Sequence, residues 1–254
     1  MKIQYCSDLH LEMPDNEKYI KRHLLEPVGE VLVLAGDILP FKLHKTQTDF
    51  IDFIAGNFEM VYWVPGNHEY YGWDAVTVAD PLLEKLRNNV WLVNNQVIDH
   101  KGVSFICSTL WSKIGVVNAL NIQRSISDFY SINWFNKTFN TRQFNQLHNQ
   151  AIVFLKKAIK EVSAEKKIVV THHVPTLQNY PGKFRISPLN GAFVTELHDL
   201  INDSGADYWI YGHHHSNTPE FKIGNTTMLT NQLGYVARHE HGSFSRGKVV
   251  EVGD

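Results

Sequence analysis

The sequence predicts an α/β fold, a mixed sheet arrangement with helices on the outside. Three observations predict it. Strand-like apolar runs alternate with helix-like stretches early in the chain, hairpin patterns follow later, and five apolar runs each close on Asp, Asn or His. Alternation argues for strands covered by helices, and hairpins for antiparallel additions. In such folds ligands collect at the carboxyl ends of strands, where the polar loops converge. The five closing segments are Asp8-Leu9-His10, Gly36-Asp37, Gly66-Asn67-His68-Glu69, Thr171-His172-His173 and Gly212-His213-His214-His215.

Each element has a local reason. Lys2 to Ser7 alternates like a half-buried strand. Asn16 to Glu26 places Tyr19, Ile20, His23 and Leu24 at helical spacing. Val31 to Ala35 is a continuous apolar run, as a strand covered on both faces requires. Thr48 to Ala55 puts Phe50, Ile51 and Ile54 on one helical face, with Gly56 as its stop. Val61 to Val64 is a strand broken by Pro65 and Gly66. Asp74 to Asn89 reads as a helix through Leu82, Leu83 and Leu86, interrupted by Pro81. Val90 to Val93 is a short strand, and Val97–His100 with Val103–Cys107 forms a hairpin across Lys101-Gly102.

Residues 110–141 are rich in Asn, Ser and aromatics without steady periodicity, the character of a binding loop or lid. Asn140 or Thr141 then caps a helix with Phe144, Leu147, Ala151, Phe154, Leu155, Ala158 and Ile159 inward. Lys167 to Val170 is a strand, residues 179–190 a second loop, Phe193 to Ile201 a helix, and Tyr208 to Tyr211 a strand. A hairpin turns at Gly224-Asn225, and Lys248 to Val252 closes the chain as a strand. No repeat, low-complexity tract or linker divides the chain, so residues 1–254 read as a single domain.

Composition bounds the function. The chain has 43% apolar and 20% charged residues and a net charge of -2, which argues against general nucleic-acid or membrane-surface binding. Cys6 and Cys107 sit in apolar runs and read as buried free thiols. No signal segment opens the chain, and no apolar stretch approaches the ~20 residues of a bilayer span, so the expected location is the cytoplasm. Histidine is the unusual count: seven of the 14 lie in the five closing segments.

Neutral imidazole is the commonest side-chain metal ligand. His213 and His215 are two apart, so in extended backbone both point the same way. The candidate ligands are Asp8, His10, Asp37, Asn67, His172, His213 and His215. Seven exceed one tetrahedral site. They suit two adjacent metals sharing a carboxylate, and Asp37, alone after its glycine, is the natural bridge. Mixed N and O donors favour Mn, Fe, Zn or Co. Two such ions about 3.5–4 Å apart serve phosphoester hydrolysis, acidifying a water between them and neutralising phosphate oxygens. His68, next to Asn67 and otherwise unassigned, fits the acid that protonates the leaving alkoxide.

Asp-x-His, Gly-Asp, Gly-Asn-His-Glu, a later His and Gly-His-x-His, in this order from Asp8 to His215, resemble the calcineurin-like metallophosphoesterase superfamily. The resemblance implies an αββα sandwich, two mixed β-sheets flanked by helices, and a dinuclear metal centre. It assigns one metal to Asp8, His10, Asp37 and His215, and the other to Asp37, Asn67, His172 and His213, with His68 as the catalytic histidine. It also selects His172 over His173 from the doublet. Protein phosphatases of the superfamily carry an Asp-Arg-Gly after the Gly-Asp, whereas Asp37 is followed by Ile38-Leu39-Pro40. The chain looks more like bacterial phosphohydrolases acting on small phosphomonoesters or phosphodiesters.

A non-catalytic scaffold of the same fold is the alternative, and the complete ligand set with His68 favours the enzyme. His173 and His214 are expected behind the ligands or on exposed loops, and Glu69 at a helix start or behind the centre. Trp111, Phe129, Tyr130, Trp134 and Tyr180 either line a pocket or pack a long loop onto the body. Arg124 and Arg185 are the loop arginines to test as phosphate clamps.

Overall fold

The strand and helix residues sort into two facing sheets with helices on their outer faces. In the computed structural model, which describes residues 1–78 and 80–253, the chain runs β1 (Lys2–Cys6), α1 (Pro14–Arg22), β2 (Val31–Ala35), α2 (Asp49–Asn57), β3 (Met60–Val64), β4 (Leu82–Arg87), β5 (Val90–Asn94), β6 (Gln96–His100) and β7 (Val103–Ser108). It continues through α3 (Ala119–Ser125), α4 (Asp128–Ser131), β8 (Asn133–Trp134), β9 (Lys137–Thr138), α5 (Thr141–Glu161) and β10 (Lys166–Thr171). It ends with α6 (His198–Asn202), β11 (Tyr208–Ile210), β12 (Phe221–Ile223), β13 (Thr226–Leu229) and β14 (Val249–Glu251).

The strand order is β14-β1-β2-β3-β5-β4 in one sheet and β12-β13-β11-β10-β7-β6 in the other. Each has four parallel strands at its centre and an antiparallel strand on either edge. β2 explains the layering. Successive strand side chains point to opposite faces. Val31, Val33 and Ala35 join Phe105, Ile168 and Val170 in the core between the sheets, while Leu32 and Leu34 pack outward with Ile20 and Ile54 of α1 and α2. On the far side Val169 and Trp209 pack against Ala151, Leu155 and Ala158 of α5. The result is the helix–sheet–sheet–helix sandwich the resemblance implies.

Asn140 is the N-cap of α5: its side chain accepts from Arg142 N and Gln143 N, and Gln143 reaches back to the Asn140 N–H. Gly56 lies inside the last turn of α2 instead of ending it.

Two helix expectations fail. The stretch 74–89 contains a short 3-10 turn at Ala75–Thr77 and then the strand β4, which pairs with β5 across the Asn88-Asn89 turn. Ala79 lies outside the described residues. Its leucines sit at spacings a helix and an edge strand share, and ladder bonds to β5 decide. Residues 193–197 are also not helical. Thr195 N donates to Val174 O and Leu197 N to Pro175 O, which draws the chain out straight and leaves α6 only from His198. The 110–141 segment carries α3, α4 and the β8–β9 ribbon, around a core of Trp111, Ile122, Phe129, Phe139 and Phe144. No helix among the described residues is long and apolar enough to cross a membrane.

Candidate metal centre

The fold gathers its ligand-type side chains by ending strands together. Asp8, Asp37, Asn67, His172 and His213 each follow β1, β2, β3, β10 and β11 within three residues. The turns there are tight. Asp8, His10, Asp37, His213 and His215 all have positive φ, between 47° and 80°. Non-glycine residues rarely adopt this region, and such strain persists where surrounding structure holds it. His213 and His215 are therefore not an extended pair, and their side chains turn to different partners.

Gly36 and Gly66 allow the close approach. A Cβ on Gly36, whose φ is +89°, would collide with His172 Nδ1 and lie 2.6 Å from its Cγ. One on Gly66 would collide with Asp37 Oδ1 and lie 2.7 Å from His172 Cε1.

Among the described residues, two donor groups share Asp37, and a third joins His10 to Glu12 and His68. Asp8, His10, Asp37 and His215 bring one ligand atom each within 4.8 Å of one another, and so do Asp37, His172 and His213. Asn67 joins the second group, its Oδ1 3.1 Å from His172 Nε2. Asp37 is common to both. Its Oδ1 accepts from His68 N at 2.8 Å, which leaves Oδ2 3.8 Å from His10 Nε2 and 3.4 Å from His172 Nε2. Asp8 is held by Ser7 Oγ at 2.5 Å and by His213 N at 3.0 Å.

The donor chemistry fits metal ions. The outer nitrogen of each imidazole has an acceptor: His172 Nδ1 donates to Ala35 O at 2.9 Å, His10 Nδ1 to Glu12 Oε1 at 3.2 Å, His215 Nδ1 to Glu240 Oε2 at 2.8 Å, and His213 Nε2 to Ala192 O at 3.1 Å. Such partners fix the tautomer and aim the other lone pair inward. Inside, His10 Nε2 lies 2.9 Å from His215 Nε2, and His172 Nε2 3.0 Å from His213 Nδ1. Two imidazole lone pairs that close need a cation between them. Burial opposes protonation, but Asp37 beside His172, and Asp8 and Glu240 beside His215, push both imidazoles up to about 9. A metal ion takes the place of such protons.

His68 stands beside the first group. Its Nδ1 is 2.8 Å from Glu12 Oε1, the same oxygen that meets His10, and its Nε2 is 3.4 Å from Tyr235 Oη. Burial opposes its charge, and Asp37 and Glu12 outweigh that and raise it. Burial also works against ionised Glu12, yet hydrogen bonds from His10 and His68 pull it down to about 2.

Of the doublet, His172 faces Asp37. His173 is buried behind, 4.1 Å from the His213 ring. His214 is buried too, against Gln232. Glu69 accepts from Asp37 N, Ile38 N, Gly66 N and Trp63 Nε1 at 2.7–2.9 Å, tying the β2 and β3 turns together. Burial and Asp37 push it up to about 7. Four N–H donors on two oxygens nevertheless suit the carboxylate.

A cavity of about 410 Å³ opens at the centre, lined by Asp37, Asn67, His68, His213 and His215 and by the apolar Ile126, Phe184 and Phe193. Tyr180 is the one predicted loop aromatic on its lining; Trp111 and Phe129 pack the loop core, and Tyr130 is 70% exposed. Arg124 and Arg185 are not on the lining. Arg238 is, the only Lys or Arg there among the described residues, with its guanidinium 5.0 Å from the Tyr235 ring centroid. Sequence reasoning missed Arg238, Glu12, Asp128 and Glu240. Only Glu12 had a signal, two residues beyond Asp-x-His.

Residues 1–217 match the family model for calcineurin-like phosphoesterases. An uncharacterized protein of Acanthamoeba polyphaga mimivirus, L509, is 30% identical, the match covering 98% of this chain and 96% of that one. Among solved structures, the phosphopantetheinyl hydrolase PptH from Mycobacterium tuberculosis superposes with a TM-score of 0.73 at 17% identity, covering 98% of this chain and 95% of that one.

Proposed function

This chain belongs to the calcineurin-like phosphoesterase family, and from its strand-end cluster we propose that it is a two-metal hydrolase of small phosphomonoesters or phosphodiesters. One observation carries the reading: a single Asp37 oxygen, Oδ2, faces both donor groups, 3.8 Å from His10 Nε2 and 3.4 Å from His172 Nε2. Asp8, His10, Asp37 and His215 would hold one ion, and Asp37, Asn67, His172 and His213 the other. Bound Mn, Fe, Zn or Co ions supply an acidified water nucleophile and neutralise phosphate charge.

The remaining chemistry belongs to the side chains. His68, oriented by Glu12 through Nδ1, presents Nε2 as the proton donor to the departing alkoxide. Arg238 adds a planar, permanently charged fork for phosphate oxygens. Ile126, Phe184, Leu189 and Phe193 give the organic part of the ester an apolar wall. The whole of residues 1–254 acts as one domain in this reading, in the cytoplasm, without nucleic-acid or membrane partners.

The test is hydrolysis of p-nitrophenyl phosphate beside bis-p-nitrophenyl phosphate by metal-stripped protein given Mn, Co, Zn or Ni. Metal-dependent turnover is expected, and the ratio of rates separates monoester from diester preference. A wild-type chain that binds no metal would overturn the reading and leave the scaffold.

A further inference from the structure

Asp128 comes from α4, inside the 110–141 segment that joins β7 to α5, and is 1% exposed. Its Oδ1 alone accepts two hydrogen bonds, from Asn67 Nδ2 at 2.8 Å and from Tyr71 Oη at 2.7 Å. Each donor leads to a different part of the candidate centre. Asn67 turns its Oδ1 to His172 Nε2. Tyr71 lays its ring flat on His68, with centroids 4.0 Å apart and planes 25° apart.

A primary amide is nearly symmetric in shape, and its two ends exchange by a flip. Only the oxygen end offers lone pairs to a cation. What sets the direction is the partner at the other end. A carboxylate only accepts, so it binds the NH₂ end and leaves the oxygen facing His172. The same oxygen, by holding the Tyr71 hydroxyl, fixes the ring against which His68 rests.

Asp128 is itself held firmly. Ser131 O accepts from Gly72 N at 2.6 Å, and Asn133 N donates to Trp73 O at 3.0 Å, so the end of α4 is fastened to the turn that carries Asn67 and Tyr71. Phe129 and Ile132, just after Asp128 in the chain, are buried with Trp111, Phe139 and Phe144. The segment is thus packed down over the centre, with one carboxylate aimed into it.

We propose that Asp128 is a positioning residue: through its Oδ1 the 110–141 segment sets the Asn67 amide toward the second metal and the Tyr71 ring against His68. The proposal rests on the two-metal reading above. It predicts that the two metal positions respond differently to a change at Asp128, because Asn67 belongs to one donor group only.

The experiment is Mn²⁺ titration by calorimetry of the metal-stripped full chain, wild type against Asp128→Ala and Asp128→Asn, with kcat and KM for p-nitrophenyl phosphate alongside. Wild type should bind two ions. Asp128→Ala should keep one and bind the other about 10–100-fold more weakly, with a comparable fall in kcat and little change in KM. Asp128→Asn offers an acceptor oxygen to both donors in only one of its two flip orientations and should recover part of both losses. Asp128→Leu, close to Asp in shape, replaces the alanine variant if that one does not fold. Two ions bound by the alanine or leucine variant with unchanged affinity and kcat would overturn the proposal and leave the two-metal reading standing. So would an Asn variant as damaged as the Ala variant. No metal bound by wild type would overturn the reading itself, and the Asp128 role with it.

Discussion

Glu12 Oε1 lies 2.8 Å from His68 Nδ1 and 3.2 Å from His10 Nδ1, so one carboxylate oxygen serves the proposed acid and a proposed metal ligand together. Glu12→Gln keeps the shape but removes the charge and one acceptor. It should lower kcat by about 10–100-fold. His68→Ala should leave both metals bound and slow poor leaving groups by about 10²–10⁴-fold, with good leaving groups slowed far less. Rates across substituted phenyl phosphates check this; equal slowing for all of them removes His68 from the acid role.

Asp37 is the other shared group. Asp37→Asn should reduce bound metal from two ions per chain and abolish turnover, because the bridge loses its charge. Gly66→Ala should act through the same carboxylate, since its Cβ would collide with Asp37 Oδ1. Metal content after dialysis, read by elemental analysis, is the measurement. Full occupancy with wild-type turnover in either variant would separate Asp37 from the centre.

Arg238→Ala should raise KM by about tenfold, the scale of one hydrogen bond to a charged group, with kcat changed less. Arg238→Lys should recover only part, because an ammonium lacks the planar fork. Steady-state kinetics decide; an unchanged KM in both variants assigns phosphate binding to the metals alone.

Acid stability has a separate, local cause at His44, which is buried between Phe41 and Trp63 with Nε2 donating to Leu39 O at 3.0 Å. Burial pushes its pKa down to about 4, the hydrogen bond to Leu39 only partly opposing. Folding therefore favours neutral His44. Its contribution is fully present above the unfolded pKa of about 6.5 and is lost as pH falls toward 4, by roughly 3 kcal/mol in all. His44→Gln should flatten this loss. Denaturant midpoints of the metal-stripped protein between pH 7 and 4 test it, and parallel curves for the two proteins would exclude His44 as the cause.

The strands covered on both faces, and the residues that stand at their ends, were legible in the sequence. Runs such as Val31–Ala35 are covered on both faces, and that environment requires continuous apolar residues. Ligand-type residues directly after them, at Asp37 or His172, then share one edge of the sandwich because parallel strands end together. Periodicity is a local property, and these features are local.

The rest depends on packing, because hydrogen-bond partners distant in the chain leave no local pattern. Asp128 meets Asn67 from 61 positions away, and nothing in Ser127-Asp128-Phe129 marks it. Glu240 and Arg238 look like any surface charges until the turn after Tyr235 sets them beside His215 and the cavity. β4 became a strand only through its ladder with β5. His213 and His215, two apart in sequence, face different donor groups because positive φ at both replaces the extended backbone that their spacing implied. The residue types were written in the chain, but their directions came from turns whose strained backbone only the packed sandwich can hold.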